Sequence, residues 1–472
     1  MAMTRAQVPG TDAGTGLPAH VPLLVAALAA GVVAQGGYYL RGRALIAVVV
    51  AAAMVAALLV RRWTATDAWP VPVACAALGL WAVARSLAAP GAGTVAAAGA
   101  VATLGCLAVA VMALRRTGPA ARERCAEAMV GVGVLVAVTA WVGVAWRIPR
   151  FAVLVELRLW RGASTLTYPN AAAALLVPLA LLAIALLVAH PRSLVRAAAS
   201  YLLLVGAGAA LSRAGFVALA AGFVVVAVLA GIRATAWHAA PLVLGAALAV
   251  AALVPSFVDS AEPRPALALA GLLAGAVVAI GTVRTPPVVR ATGLVVTLAV
   301  AALVPWSRLG GDRLQAVLAS RGNLDSYGRT EAARSAVALI AEHPWIGAGI
   351  GSARFAWARP DGNVAIAQYA HNEYLQTLVD LGTVGGVLLL GLLAAIVVTL
   401  HRGRRSADRS GVWAGAVAAM AALAVHSAFD FLWHIAVLPL AAGLFIGLAA
   451  PATSEEPTQR GPTGPPEEEE QQ

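Results

Sequence analysis

Arginine, histidine and carboxylate side chains crowd one stretch of this sequence, Arg329 to Gly382. It reads GRTEAARSAVALIAEHPWIGAGIGSARFAW from Gly328, then a short polar tract, then YAHNEYLQTLVDLG from Tyr369. A guanidinium offers a planar fork of donors that grips phosphate or carboxylate oxygens in pairs. An imidazole titrates close to neutral pH and is suited to taking a proton from a hydroxyl. This combination could hold an anionic substrate and move a proton. Hydrophobic runs enclose the stretch on both sides, so that chemistry would take place beside a bilayer.

The elements that must position these groups are membrane spans. Of 472 residues, 61% are hydrophobic and only 12% charged, with a mean hydropathy of +0.83, against roughly 25% charged in soluble domains. The apolar runs are continuous rather than alternating, which excludes a barrel and predicts an all-α polytopic bundle. All 33 basic residues are arginine, so lysine chemistry is absent. The net charge of +11 is spread over loops as topology determinants are, not gathered into a nucleic-acid stripe. Cys75, Cys106 and Cys125 are too scattered for a disulfide framework or metal site. No removable signal peptide is expected at the start, and the Pro-, Glu- and Gln-rich tail is expected to be disordered.

Windows of about 19 residues give 12–14 spans, the fullest reading being 19–39, 43–60, 69–88, 94–114, 126–146, 170–189, 196–211, 214–232, 238–255, 266–283, 288–305, 383–400, 412–430 and 435–450. The expected organisation is a cytoplasmic segment 1–18, a bundle 19–305, an extracytoplasmic catalytic loop 306–382, C-terminal spans 383–450 and a cytoplasmic tail 451–472. Arginine placement puts Arg61–Arg62, Arg115–Arg124, Arg192–Arg196, Arg233, Arg284–Arg290 and Arg402–Arg409 on the cytoplasmic side of an inner membrane. Arg41, Arg43 and the arginines of 147–161 break that rule on the outer face, where they suggest an anionic ligand. Within the loop, 328–342 has helical periodicity, His343–Pro344 stops it, and GAGIG at 347–351 turns the chain. No strand precedes GAGIG, so it is no nucleotide fingerprint.

The order of motifs resembles the O-antigen ligase and O-antigen polymerase superfamily: PN-x-x-A-x-x-L at 169–176, SRAG at 212–215, a helix opened by GR and ending in HPWIGAGIG at 328–351, HNEYLQTLVDLG at 371–382, and HSAFDFLWH at 426–434. The likeness covers roughly 165–450 and rests mainly on the pair HPWIGAGIG and HNEYLQ. It implies a metal-independent, cofactor-free glycosyltransferase. Such an enzyme moves a glycan from a polyprenyl-diphosphate lipid to a glycan, lipid or protein acceptor on the outer leaflet.

The residues fit that chemistry. A departing diphosphate gains negative charge, which fixed guanidinium groups neutralise through charge-assisted bonds worth about 1.5–3 kcal/mol each. Arg213 and Arg329 lead as diphosphate ligands, followed by Arg321; the competing readings are a snorkelled topology marker for Arg213 and a helix-end salt bridge for Arg329. Arg158 and Arg161 could guide the head group. His371 is the candidate general base, with capping of the helix from 372 as its bland alternative. No nucleophilic carboxylate stands out, which points to single displacement with inversion. Asn170, Asn372, Glu373, Tyr374 and Asp430 are candidate substrate contacts. His426, Asp430 and His434 recur every four residues and would share one helical face; they are read as acceptor-site lining or a structural cluster rather than a metal site. The runner-up classes are a secondary transporter, disfavoured because Arg85 is the main ionisable group at mid-span, and a non-catalytic membrane subunit of a polysaccharide export system.

Overall fold

The computed structural model describes residues 17–60, 70–88, 93–155, 158–281, 283–286, 288, 315, 317, 328–358, 363–407 and 410–451. The span expected at 288–305 and the candidate Arg321 lie outside the described residues. In chain order the helices are α1 (His20–Val33), α2 (Leu40–Val60), α3 (Pro70–Ala88), α4 (Gly93–Arg115), α5 (Pro119–Ala145), α6 (Pro169–Ala189), α7 (Leu194–Ala209), α8 (Arg213–Ala230), α9 (Ile232–Ala251), α10 (Val254–Phe257), α11 (Pro265–Gly281), α12 (Arg329–Glu342), α13 (Glu373–Gly403), α14 (Val412–Ser427) and α15 (Val437–Ala449). Eight of these are long and apolar enough to cross a membrane, and α1, α7, α11, α14 and α15 are shorter apolar helices. The protein is an all-α polytopic bundle.

Helix α6 sits at the centre. It is apolar on every side, and all but its last two residues are buried, as a helix without a polar face must be. α5, α7, α8 and α14 pack around it. Its first turn therefore delivers Pro169 and Asn170 to the middle of one end of the bundle. At the opposite end, arginines close the helix termini. Arg122 donates to the carbonyls of Leu114, Thr117, Arg115 and Ala450, and Arg196 pairs with Glu123 at 2.6 Å and Glu127 at 2.8 Å. These cations neutralise carbonyls and acids of the bundle itself.

Two antiparallel hairpins escape the all-apolar reading of the sequence. β1 (Ala152–Val155) pairs with β2 (Leu159–Gly162), and β3 (Phe355–Ala358) pairs with β4 (Val364–Ala367). The first carries Arg158 and Arg161; the second rests on α12 through Phe355, which is fully buried beside Ala332 and Ala336. Both lie at the Asn170 end of the bundle. That end also holds every non-glycine residue with positive φ among the described residues: Gln35, Arg147, Arg158, Ser164, Thr167, Leu211 and His371. Such conformations cost of order 1–3 kcal/mol each and persist only where surroundings enforce them.

The two motifs that carry the resemblance are docking partners. α13 breaks at Gly382 (φ 67°, ψ −167°). The break frees the carbonyls of Val379 and Asp380, which accept from Ala348 N at 2.7 Å and Gly349 N at 3.1 Å. In return, Thr383 N donates to the Pro344 carbonyl at 2.8 Å. A Cβ on Gly382 would collide with the Trp345 carbonyl, and one on Gly347 with the backbone of Asp380 to Gly382. α3 locks the junction: Trp81 Nε1 donates to the Leu381 carbonyl at 3.0 Å, and Arg85 to the carbonyls of Ile346 and Gly347 at 2.8 and 3.0 Å. The mid-span placement of Arg85 is thus corrected. It lies in the last turn of α3 and reaches into the loop, where carbonyls satisfy it.

Gly382→Ala is expected to lower stability by at least about 1–2 kcal/mol, the cost of a left-handed conformation for a residue with a side chain, with the clash added to that. Denaturant unfolding in detergent measures it; an unchanged midpoint would detach the two motifs from one another.

Candidate active site

The site is built on the first turn of α6. Tyr168 precedes Pro169 and is therefore extended (φ −134°, ψ 114°), while proline takes the first helical position. This sets the Tyr168 hydroxyl and the Asn170 amide side by side, 3.0 Å apart. Facing them is the segment after α14. The helical face expected for His426, Asp430 and His434 does not exist, because α14 ends at Ser427 and a separate single turn covers Leu432–His434. His426 stays buried inside α14, Asp430 turns into the centre, and His434 points to a second cluster.

Asp430 has no exposed surface. One carboxylate oxygen accepts from the Tyr168 hydroxyl at 2.7 Å and from Asn170 Nδ2 at 2.5 Å. The other accepts from its neighbour Phe431 N at 2.9 Å and from His371 Nδ1 at 3.1 Å. Arg329 brings a guanidinium nitrogen to 3.7 Å. Burial alone would push this carboxyl up, but the His371 hydrogen bond, the Arg329 charge and the Tyr168 hydroxyl outweigh it and pull the pKa down to about 2. Beside that anion the Tyr168 hydroxyl, already disfavoured as an anion by burial, is held well above its ordinary range.

His371 precedes α13 with φ 51°. Asn372, not His371, caps the helix, accepting from Tyr374 N at 3.0 Å and Leu375 N at 3.1 Å. Because an ionised carboxylate only accepts, the proton of neutral His371 sits on Nδ1 and Nε2 carries the lone pair. Nδ1 is thus committed to Asp430, and Nε2 is left as the basic nitrogen of a side chain still 27% exposed. Arg329 is the first residue of α12, and its side chain is 33% exposed. The base candidate and one diphosphate candidate therefore meet on a single buried carboxylate.

The remaining candidates have other places. Arg161 is buried, bonding Asn170 Oδ1 at 2.7 Å and the Ala210 carbonyl at 2.8 Å. It is a strut from Asn170 to the turn that carries Arg213, not a guide at the surface. Arg213 opens α8 after Ser212, whose hydroxyl accepts from Gly215 N at 3.1 Å. Gly215 in turn lies against Ala173 in the first turns of α6. Arg158 is exposed and paired with Asp259 at 2.6 Å. Glu373 is buried; it accepts from Trp433 N and faces His434 Nδ1 at 3.4 Å. Burial alone would lower the His434 pKa, but the Glu373 charge overrides it and raises it. Tyr374 donates to the Ala424 carbonyl at 2.8 Å. Tyr168 escaped the sequence reading, although an aromatic residue directly before Pro-Asn at a span start marks an extended side chain beside Asn170.

The stabilisation carried by ionised Asp430 is complete above the ordinary aspartate range near 4 and is lost as pH falls through about 2. Removing one donor, in Tyr168→Phe, raises that midpoint. Carbon NMR of labelled aspartate, assigned with Asp430→Asn, reads both; a wild-type midpoint at or above the ordinary value contradicts the network.

No curated protein matches the sequence significantly. A protein-family model, described as O-antigen ligase, matches residues 263–390. That segment includes Arg329 and His371 and stops short of Asp430, while Tyr168 and Asn170 precede it. Residues 263–390 are therefore similar to the O-antigen ligase family, and they lie within a multi-pass membrane bundle.

Proposed function

We propose that the protein is a metal-independent, inverting glycosyltransferase that moves a glycan from a polyprenyl-diphosphate carrier to an acceptor hydroxyl. The active face would be the extracytoplasmic side of the cytoplasmic membrane. The single observation that supports this most is the convergence of His371 and Arg329 on buried Asp430.

In this reading the acceptor oxygen attacks the anomeric carbon and its proton passes to His371 Nε2. The bond from that carbon to the diphosphate oxygen breaks, and the electron pair leaves with the diphosphate. Arg329 and Arg213 take up the developing charge, with Arg321 in the same role. The imidazolium that forms is stabilised by the anion already bonded to its Nδ1, as in other histidine–carboxylate pairs. Tyr168 and Asn170 keep that carboxylate ionised and oriented. Whether the acceptor is a lipid, a glycan or a protein is a matter of what reaches His371.

A transporter or a non-catalytic export subunit would not need an ordered proton acceptor beside a partly exposed guanidinium. Protein in liposomes is expected to transfer glycan from a polyprenyl-diphosphate donor in the presence of EDTA. His371→Ala is expected to lower turnover by ~10²–10⁴, the usual share of acid–base catalysis. Transfer abolished by EDTA and restored by Mg²⁺ would remove metal independence, and wild-type turnover in His371→Ala would remove the base.

A further inference from the structure

Arg41 and Arg150 take no part in the proposed reaction, and among the described residues neither is paired with a carboxylate. In the expected topology both fall on the outer face, against the positive-inside rule. They wall one cavity of about 800 Å³ at the Asn170 end of the bundle, within the ~300–1,000 Å³ of ordinary ligand clefts. Arg41 enters from the first turn of α2, and Arg150 from the turn between α5 and β1. Gln35 from the α1–α2 turn, with Thr165 and Thr167 from the approach to α6, adds polar lining. The Thr165 hydroxyl donates to the Val32 carbonyl at 2.7 Å, which ties that approach to α1. Among the described residues no carboxylate lines the cavity. Two guanidinium groups on one cleft without an acid favour an anion between them.

The apolar part of the lining indicates what carries that anion. Val33, Tyr39 and Leu40 line the same cavity and are exposed. Further along α2, Leu45, Val48, Val55 and Leu59 are exposed at helical spacing, on a helix long and apolar enough to cross a membrane. They form its lipid-facing side, and the cavity opens at the end of that side. Guanidinium groups, a tyrosine and exposed aliphatic side chains at the end of a span match a phospholipid from phosphate to acyl chain. A soluble phosphate would need the arginines and not the aliphatic wall.

We infer that this cavity binds the phosphate of an anionic diacyl phospholipid that is not a substrate. Arg41 and Arg150 hold the phosphate, and the acyl chains lie along Val33 and Leu40. The bound lipid braces the α1–α2 turn against the approach to α6. Thr167 in that approach directly precedes Tyr168, whose hydroxyl bonds Asp430. α8, which carries Arg213, packs on α6, α9 and α14, whereas α1 and α2 pack on α4, α5 and α15. The cavity therefore lies on a different flank of the bundle from the Arg213 turn. The binding does not depend on the proposed transferase reading.

The test releases the full chain from nanodiscs of phosphatidylcholine doped with phosphatidylglycerol and counts retained lipid by native mass spectrometry. Phosphatidylglycerol is expected to be retained with about tenfold preference over phosphatidylcholine, a difference of roughly 1.4 kcal/mol. The preference is expected to fall in Arg41→Gln and in Arg150→Gln and to vanish in the double variant. Arg158→Gln, which removes an exposed arginine already paired with Asp259, is expected to keep it. In phosphatidylcholine alone the single variants are expected to unfold at the wild-type temperature, and phosphatidylglycerol is expected to raise that temperature only where both arginines remain. Excess inorganic phosphate is expected not to displace the lipid. Displacement by inorganic phosphate overturns the inference by making this a free-phosphate site, and equal retention of polyprenyl diphosphate overturns it by making this a donor site. No preference in the wild type, or the same preference in both single variants as in the wild type, leaves the arginines merely solvated and also overturns it. His371→Ala is expected to retain the lipid as the wild type does, so loss or survival of transfer in that variant bears only on the catalytic reading.

Discussion

A carboxylate taken fully out of water is costly unless it is paired and hydrogen-bonded, and Asp430 is the point where this protein accepts that cost. Its four hydrogen-bond donors come from three separated parts of the chain: the α6 start, the α13 start and the Asp430–Phe431 link itself. Arg329 adds a charge from a fourth, the start of α12. Losing any one partner leaves a buried anion short of compensation, so the anion holds the loop, the hairpin-bearing segment and the central helix in one arrangement. The same demand fixes the imidazole, because the carboxylate accepts only from a protonated Nδ1.

The surroundings are built to keep that arrangement. α6 is held on all sides by other helices, so its first turn is an immobile platform. Arg161 spans from Asn170 to the α7–α8 turn and thereby ties Ala210, two residues before Ser212, to the start of α6. The break at Gly382 separates the turns of α13 that carry the site from the turns that lie in the bundle. Its freed carbonyls are satisfied by the GAGIG segment, and Arg85 and Trp81 of α3 fasten both. The positive-φ residues cluster at this end for the same reason: packing and hydrogen bonds there can hold conformations that would relax elsewhere.

Much of the bundle was legible because membrane spans are written in local composition. The segments expected from hydropathy coincide with helices wherever the chain is described, and the His343–Pro344 stop and the helix from 329 follow from local rules. What the sequence could not show were contacts made across the fold. Asp430 meets Asn170 over 260 positions and His371 over 59, and no periodicity records that. The four-residue spacing of His426, Asp430 and His434 was misleading, since it assumed a helix that ends at Ser427. Arg158 and Arg161 looked alike in sequence, yet one is a surface pair and the other a buried strut, because Arg158 lies before β2 with φ 56° while Arg161 lies within β2 opposite Val153. Tyr168 was overlooked because hydroxyls gain meaning only from what they face.

In the proposed reaction His371 and Asp430 act as one unit. A double-mutant cycle on turnover with His371→Ala, Asp430→Asn and the combined variant tests it most directly, since groups that act together give losses that do not add. If the two act together, the double variant is no slower than the slower single variant. Losses that multiply, leaving the double variant slower by the product of the two singles, would contradict it.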